Sequence, residues 1–168
     1  MTTQHEIRIR TATPADAAAI AAIYNHYVAE TVVTFEEEPV SAEEIARRID
    51  DVRAAALPWL VAEEGGHVVG YAYAVPWKPR SAYRFSVEIT VYLARERTGR
   101  GAGSKLYGAL FPLLEARGIH AVIGGIALPN DASVRLHEKF GLRKVAEFRE
   151  VGFKLGRWID VGYWERTL

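Results

Sequence analysis

The chain has 168 residues, with 21 Lys and Arg set against 21 Asp and Glu, a formal net charge of zero and no cysteine. That length suits one domain and neutrality argues against a nucleic-acid partner, while the missing cysteines exclude disulfides, thiolate metal sites and a cysteine nucleophile. The polar Met1–Arg10 stretch does not read as a signal peptide, and no apolar run approaches the ~20 residues of a membrane span, so the expectation is a cytoplasmic protein with no membrane partner.

Ile7 to Arg10 reads as a short first strand. Thr13-Pro14-Ala15-Asp16 reads as a helix start, with Thr13 as cap, Pro14 in the first turn and Asp16 at the positive end of the dipole. The Ala-rich helix runs to about Ala29. Ser41-x-x-Glu44 has the form of a capping box for a second helix that ends near Ala56. Between the two helices, Thr31 to Pro39 carries Glu36-Glu37-Glu38 and is expected to be a solvated loop. Trp59 to Glu64 and His67 to Val75 flank Gly65-Gly66 and read as a β-hairpin. Pro76-Trp77-Lys78-Pro79-Arg80 breaks the second strand.

Phe85 to Leu93 is the next strand, and it alternates. Phe85, Val87, Ile89, Val91 and Leu93 share one face, expected to meet the core. Ser86, Glu88, Thr90 and Tyr92 share the other. Glu is uncommon in strands, so Glu88 is either a carboxylate on a solvated sheet face or a general base beside a ligand. A helix follows from Lys105 to Arg117, with a kink expected at Pro112. Ala121 to Ala127 reads as a buried strand and Asp131 to Phe140 as a helix. Arg143 to Phe148 and Val161 to Arg166 read as the last two strands. The order β-α-α-β-β-β-α-β-α-β-β is an α/β arrangement with a mixed sheet.

Arg97-Thr98-Gly99-Arg100-Gly101-Ala102-Gly103-Ser104 lies where a strand hands over to a helix. Glycines there let the chain turn tightly and aim several N–H groups at one point, and the helix adds its free donors and positive dipole end. The stretch is either a phosphate pocket or a glycine-rich turn that caps the helix. No Gly-Lys-Ser/Thr closes it as in a P-loop, and the Gly-x-Gly-x-Gly spacing is not the dinucleotide fingerprint. On the following helix, Asn130, Ser133, His137, Leu136 and Phe140 fall on one side at helical spacing, so His137 faces inward. A lone inward histidine is either a packed core residue or a functional one.

Thr98-Gly99-Arg100-Gly101-Ala102-Gly103 resembles motif A of the GNAT family of N-acetyltransferases, (Arg/Gln)-x-x-Gly-x-(Gly/Ala), with Thr98 in place of the Arg or Gln. Asn130 to Leu142 resembles motif B, with His137 in place of a tyrosine and Gly141-Leu142 in place of Gly-Phe. A narrower resemblance covers nearly the whole chain. Asn25-His26-Tyr27, Pro58-Trp59-Leu60-Val61-Ala62-Glu63, Pro76-Trp77-Lys78, Arg80, Ala82-Tyr83, Thr90-Val91-Tyr92 and Leu128-Pro129-Asn130-Asp131 are similar to the phosphinothricin and methionine sulfoximine acetyltransferase subfamily. So are Ser133-Val134-Arg135-Leu136-His137-Glu138, Gly152-Phe153-Lys154 and Gly156-x-Trp158-x-Asp160-Val161-Gly162-Tyr163-Trp164.

The resemblance implies one N-acetyltransferase domain over 1–168, with a mixed, mostly antiparallel central sheet flanked by helices. It implies acetyl transfer from acetyl-CoA to the primary amine of a small amino-acid analogue, in a homodimer and without a metal. Glu88 and His137 are the implied catalytic pair. Val91, Tyr92, Leu93, Gly99, Arg100, Gly101, Ala102, Gly103, Ser104, Asn130 and Ser133 are expected to hold acetyl-CoA, with Arg100 either on a phosphate or facing solvent. Lys78, Arg80 and Tyr83 match substrate-side positions, where two cations and a phenol suit a carboxylate or phosphinate. Their alternative is a solvated basic loop. Phe35, Thr90 and Val161 complete the expected acceptor site. Trp158, Tyr163 and Trp164 are read as core or dimer-interface residues. Two other readings stay open: the same transfer to a protein N-terminus, polyamine or aminoglycoside, and a non-catalytic acyl-CoA sensor.

Overall fold

The computed structural model describes residues 6–168, so Met1–His5 of the N-terminal stretch lie outside the described residues. Seven strands form one sheet in the order β1-β2-β3-β4-β5-β7-β6: β1 Arg8–Thr11, β2 Trp59–Glu64, β3 His67–Pro76, β4 Ser86–Leu93, β5 Ala121–Leu128, β6 Arg143–Lys154 and β7 Arg157–Thr167. Every neighbouring pair is antiparallel except β4 with β5. The helices are α1 Ala17–Glu30, α2 Ala42–Ala54, α3 Ala102–Ala116 and α4 Asp131–Lys139. None of them is long and apolar enough to cross a membrane.

Two cores form. One gathers Ile20, Val28, Ile45, Ile49, Trp59, Val61 and Tyr71 between α1, α2 and the sheet. The other packs Leu106, Tyr107, Leu110 and Leu114 of α3 on Ala72, Val87, Ile89 and Val122. Ile89 and Val87 are therefore core residues, as the alternation of β4 requires. Phe85 is not. It precedes the strand, stays 48% exposed and has the Arg84 guanidinium 4.5 Å from its ring centre.

The start of α1 follows from its sequence. Pro14–Asp16 forms a 3₁₀ turn, and the Asp16 carboxylate accepts from the Thr13 N–H at 2.8 Å and from both terminal nitrogens of Arg10 at 2.8 Å. At α2 only half of the expected capping box forms. Ser41 Oγ accepts from the Glu44 N–H, but the Glu44 carboxylate turns to Arg47 and Arg48 instead. The acidic run is likewise not wholly solvated. Glu36 pairs with Arg48 at 2.6 and 3.0 Å and accepts from the Tyr24 hydroxyl, and the guanidinium holds its carboxyl below the usual range.

The last two strands exceed their expected length. β6 and β7 form one long hairpin through a two-residue turn, with Leu155 at φ 50° and Gly156 at φ 74°. Register shifts at Lys144/Ala146 and Phe148/Gly152 break the alternation that would reveal strand β6 to a period-two reading. Helix α3 starts three residues earlier than expected and runs through Pro112 to Ala116.

Candidate active site

Strands β4 and β5 pair in parallel over only three positions, Ser86↔Ala121, Val87↔Val122 and Glu88↔Ile123. Beyond Glu88, β4 stays bonded to β3 as far as Leu93, and β5 to β7 as far as Leu128. The edges that face each other are left open, each with unpaired backbone donors and acceptors. A groove occupies the gap as two adjoining cavities of about 440 and 490 Å³ that share Val33, Val91, Tyr92, Asn130 and Ser133.

The larger cavity contains the glycine loop. Gly101 is the N-cap of α3 at φ 83°, ψ 0°, a left-handed conformation that strains any residue with a Cβ. Ala102 through Lys105 therefore open the helix, and Gly103 and Ser104 lie in its first turn rather than in the loop. Thr98, Gly99, Gly101, Gly103 and Ser104 line the cavity with Leu93. Arg100 and Ala102 do not: Arg100 is exposed and Ala102 is fully buried in the core. Arg135 and Lys139 of α4 line it and were missed in the sequence, where they look like ordinary solvent-facing charges. Lys139 Nζ donates to Ser104 Oγ at 2.9 Å, which brings a cation to the start of α3. Asn130 caps α4 by accepting the Ser133 N–H at 3.2 Å. This end thus gathers a glycine loop, a helix N-terminus and two cations, a combination whose chemistry suits an anionic group.

The other cavity holds Glu88, Thr90, Phe35, Val161 and His137 together, as the sequence led one to expect. Among the described residues no donor reaches the Glu88 carboxylate. Burial raises its pKa, and the nearby Lys78 charge opposes that shift. A Cβ added to Gly125 would stand 3.4 Å from Glu88 Oε1 and 3.1 Å from the Tyr163 ring, so the bare backbone of β5 leaves both groups room. Tyr163 is thus a cavity residue, Trp164 a core residue at 2% exposure, and Trp158 a surface residue at 63%.

His137 is 3% exposed. Its Nδ1 lies 2.7 Å from the Ser133 carbonyl oxygen, which can only accept, so Nδ1 carries the proton. Nε2 is then the acceptor of the Tyr107 hydroxyl at 3.1 Å. Burial lowers the imidazole pKa, and the Ser133 carbonyl opposes that shift. The ring is neutral and fixed in one tautomer. Tyr107 also lines the cavity, deep in an apolar helix where nothing in the sequence distinguished it from a core aromatic.

Lys78, Arg80 and Tyr83 line neither cavity. The loop that carries them lies outside the groove, with Lys78 Nζ 4.9 Å from the centre of the Trp77 ring and Tyr83 40% exposed. The β3–β4 ladder continues through Pro76↔Val87 to a bond from the Trp77 N–H to the Ser86 carbonyl at 3.0 Å, so the loop begins only after Trp77. Among the described residues, no group of three or more acidic or histidine side chains is placed to hold a metal ion.

The "Acetyltransferase (GNAT) domain" family model matches residues 9–162. The chain belongs to the GNAT acetyltransferases. It is 46% identical to the phosphinothricin N-acetyltransferase of Streptomyces viridochromogenes over 162 residues, which cover 95% of this chain and 87% of that one. It is 36% identical to the L-methionine sulfoximine/L-methionine sulfone acetyltransferase of Salmonella typhimurium over 160 residues, 95% of this chain and 94% of that one. The crystal structure of a GNAT phosphinothricin acetyltransferase from Sinorhizobium meliloti, in complex with acetyl-CoA, has a TM-score of 0.93 at 37% identity, covering 96% of this chain and 88% of that one. The fold is thus shared with solved acetyltransferases, and in this acetyltransferase the split between β4 and β5 turns two strand edges toward the groove.

The left-handed Gly101 gives a direct check on the loop. Gly101→Ala is expected to cost about 1–2 kcal/mol of stability in urea titration and to weaken acetyl-CoA binding about tenfold by calorimetry. Unchanged affinity would mean that the phosphates sit elsewhere.

Proposed function

We propose that this protein transfers the acetyl group of acetyl-CoA to the amino group of a small anionic amino-acid analogue of the phosphinothricin, methionine sulfoximine or methionine sulfone type. The observation that carries this reading is the joining of a phosphate-binding loop and a half-buried, unpaired carboxylate in one groove. The relatives named above act on those acceptors. The residues fit acetyl-CoA: the glycine loop, Arg135 and Lys139 would hold its phosphates, and the open edges of β4 and β5 offer backbone partners to an extended amide-bearing arm. When bound it supplies an acetyl group activated as a thioester.

The acceptor amine has a pKa of roughly 8–10 and is mostly an ammonium ion at neutral pH, which cannot attack a carbonyl. Glu88 accepts that proton, directly or through one water. Backbone N–H groups near Val91 and Tyr92 face the place where negative charge develops on the acetyl oxygen. The Tyr107 hydroxyl donates to the His137 Nε2 lone pair, so the second proton lost by the attacking nitrogen enters at that hydroxyl as its own proton passes to Nε2, and the same path in reverse returns a proton to the departing sulfur. Phe35, Thr90 and Val161 wall the acceptor. Lys78 supplies positive charge on the Glu88 side and favours a carboxylate or phosphinate over a polyamine or aminoglycoside. Arg80 and Tyr83 extend this anion-recognising loop from outside the groove.

We also propose a homodimer and a cytoplasmic location, where acetyl-CoA is at hand. The β6–β7 hairpin exposes Val145, Phe148, Val151 and Phe153 of edge strand β6, Leu155 of the turn and Trp158 of β7 at 53–63%. An open apolar edge of that kind needs a cover. Sedimentation equilibrium is expected to give twice the chain mass, and a monomer at all concentrations would contradict the pairing.

The reading is tested by acetyl-CoA-dependent thiol release with phosphinothricin, methionine sulfoximine, methionine sulfone, common amino acids, a polyamine and a short peptide. Saturable release with the analogues is expected. Turnover of the polyamine or peptide alone would replace this acceptor class with the cationic one. Glu88→Gln is expected to keep acetyl-CoA binding and lose about 100-fold or more in turnover. Because Glu88 works as the carboxylate and burial raises its pKa, wild-type kcat/KM should fall on the acid side at a pH above the ordinary glutamate range. That acid limb is expected to vanish in the residual activity of Glu88→Gln.

A further inference from the structure

One buried cation has no part in the mechanism above. Lys154, near the end of β6, is 2% exposed. Its Nζ donates to the Thr34 carbonyl at 2.8 Å and reaches the Tyr27 carbonyl at 3.4 Å. Among the described residues no carboxylate is hydrogen-bonded to it. Tyr27 belongs to the last turn of α1, where carbonyls lack helical partners and the dipole is negative, so the ammonium is held by a helix C-terminus. Glu36 and Glu37 add negative charge at longer range.

The Thr34 carbonyl belongs to the segment between α1 and α2, whose Val33, Thr34 and Phe35 wall the cavity around Glu88. Two residues before Lys154, Gly152 lies on the same buried face of β6. A Cβ there would fall 2.3 Å from Phe35 Cζ. Gly152 and Lys154 together form a seat: a bare Cα for the Phe35 ring and an ammonium for the adjacent carbonyl. The other side of the segment is pinned to the helices, by Tyr24 to Thr34 at 2.7 Å and by Asn25 to Val40 at 2.8 Å in both directions. The segment is a strap that runs from the helices to β6.

We propose that Lys154, with Gly152, is a positioning residue that docks the Val33–Phe35 strap over the Glu88 cavity and so sets the fit of the acceptor's side chain. This rests on the reading of that cavity as the acceptor site. Neither residue touches substrate; both act through Thr34 and Phe35.

The test has two independent arms. In the first, amide hydrogen exchange over residues 31–38 is compared between wild type and Lys154→Met without any ligand. Loss of a charged hydrogen bond predicts exchange about tenfold faster or more in that segment. Unchanged exchange overturns the docking. In the second, Lys154→Met is expected to raise the acceptor KM about tenfold while acetyl-CoA affinity moves less than about threefold, and Lys154→Arg, which keeps a donor, to recover most of the loss. Equal effects on both substrates overturn the role in acceptor fit. Gly152→Ala displaces the Phe35 ring without touching the cation. It is expected to give the same split, and it decides the question if Lys154→Met fails to fold; a wild-type acceptor KM there overturns the proposal. If wild type turns over no acceptor in the panel, the functional reading fails, and the exchange arm still judges the strap.

Discussion

Three residue pairs of parallel β-sheet govern the site. Beyond Glu88↔Ile123, β4 and β5 part, each kept straight by its antiparallel partner on the other side. A sheet that stayed zipped would satisfy its own backbone and leave no groove. By ending the pairing early, the fold sets two open edges across from one another and places Glu88 at the point where they diverge. The β4 edge runs onward into the glycine loop and α3, so that loop and the Glu88 carboxylate lie toward opposite ends of one strand, Ser86–Leu93. Helix α4 closes the groove from the β5 side, bringing Asn130, Ser133 and His137 to it.

Burial then prepares the two titrating groups in opposite senses. It raises the pKa of Glu88 and lowers that of His137, so both shifts favour the neutral forms and bring the two affinities for a proton toward each other. A carboxylate whose pKa is raised is a stronger base, and a neutral imidazole with its lone pair on Nε2 is free to take up a proton. Burial thus tunes both groups, and residues 33–35 form part of the wall of their cavity. Lys78 acts against this on Glu88 and favours the charged carboxylate.

The parts legible in the sequence are those that local rules control. Gly65-Gly66 between alternating runs marked the β2–β3 hairpin, the alternation of β4 separated Glu88 and Thr90 from Val87 and Ile89, and helical spacing turned His137 inward. The chain order of all eleven main elements followed from such signals. What escaped depends on contacts between distant segments. Tyr107 looks like any aromatic in an apolar helix until α4 places His137 beside it. Glu36 reads as solvated until Arg48 and Tyr24 meet it. Bulges conceal the true length of β6, and with it the place of Lys154. Lys78, Arg80 and Tyr83 stand near one another in the sequence, yet the loop that bears them lies outside the groove.

The claim on which the rest depends is that the donor lies between the parted strands. Amide hydrogen exchange with and without acetyl-CoA tests it most directly. The account predicts strong new protection at Val91–Leu93, along Gly124–Leu128 and in the loop 99–104, with little change in β1, β2 or β6. Protection confined to other segments, with these three unaffected, would contradict it.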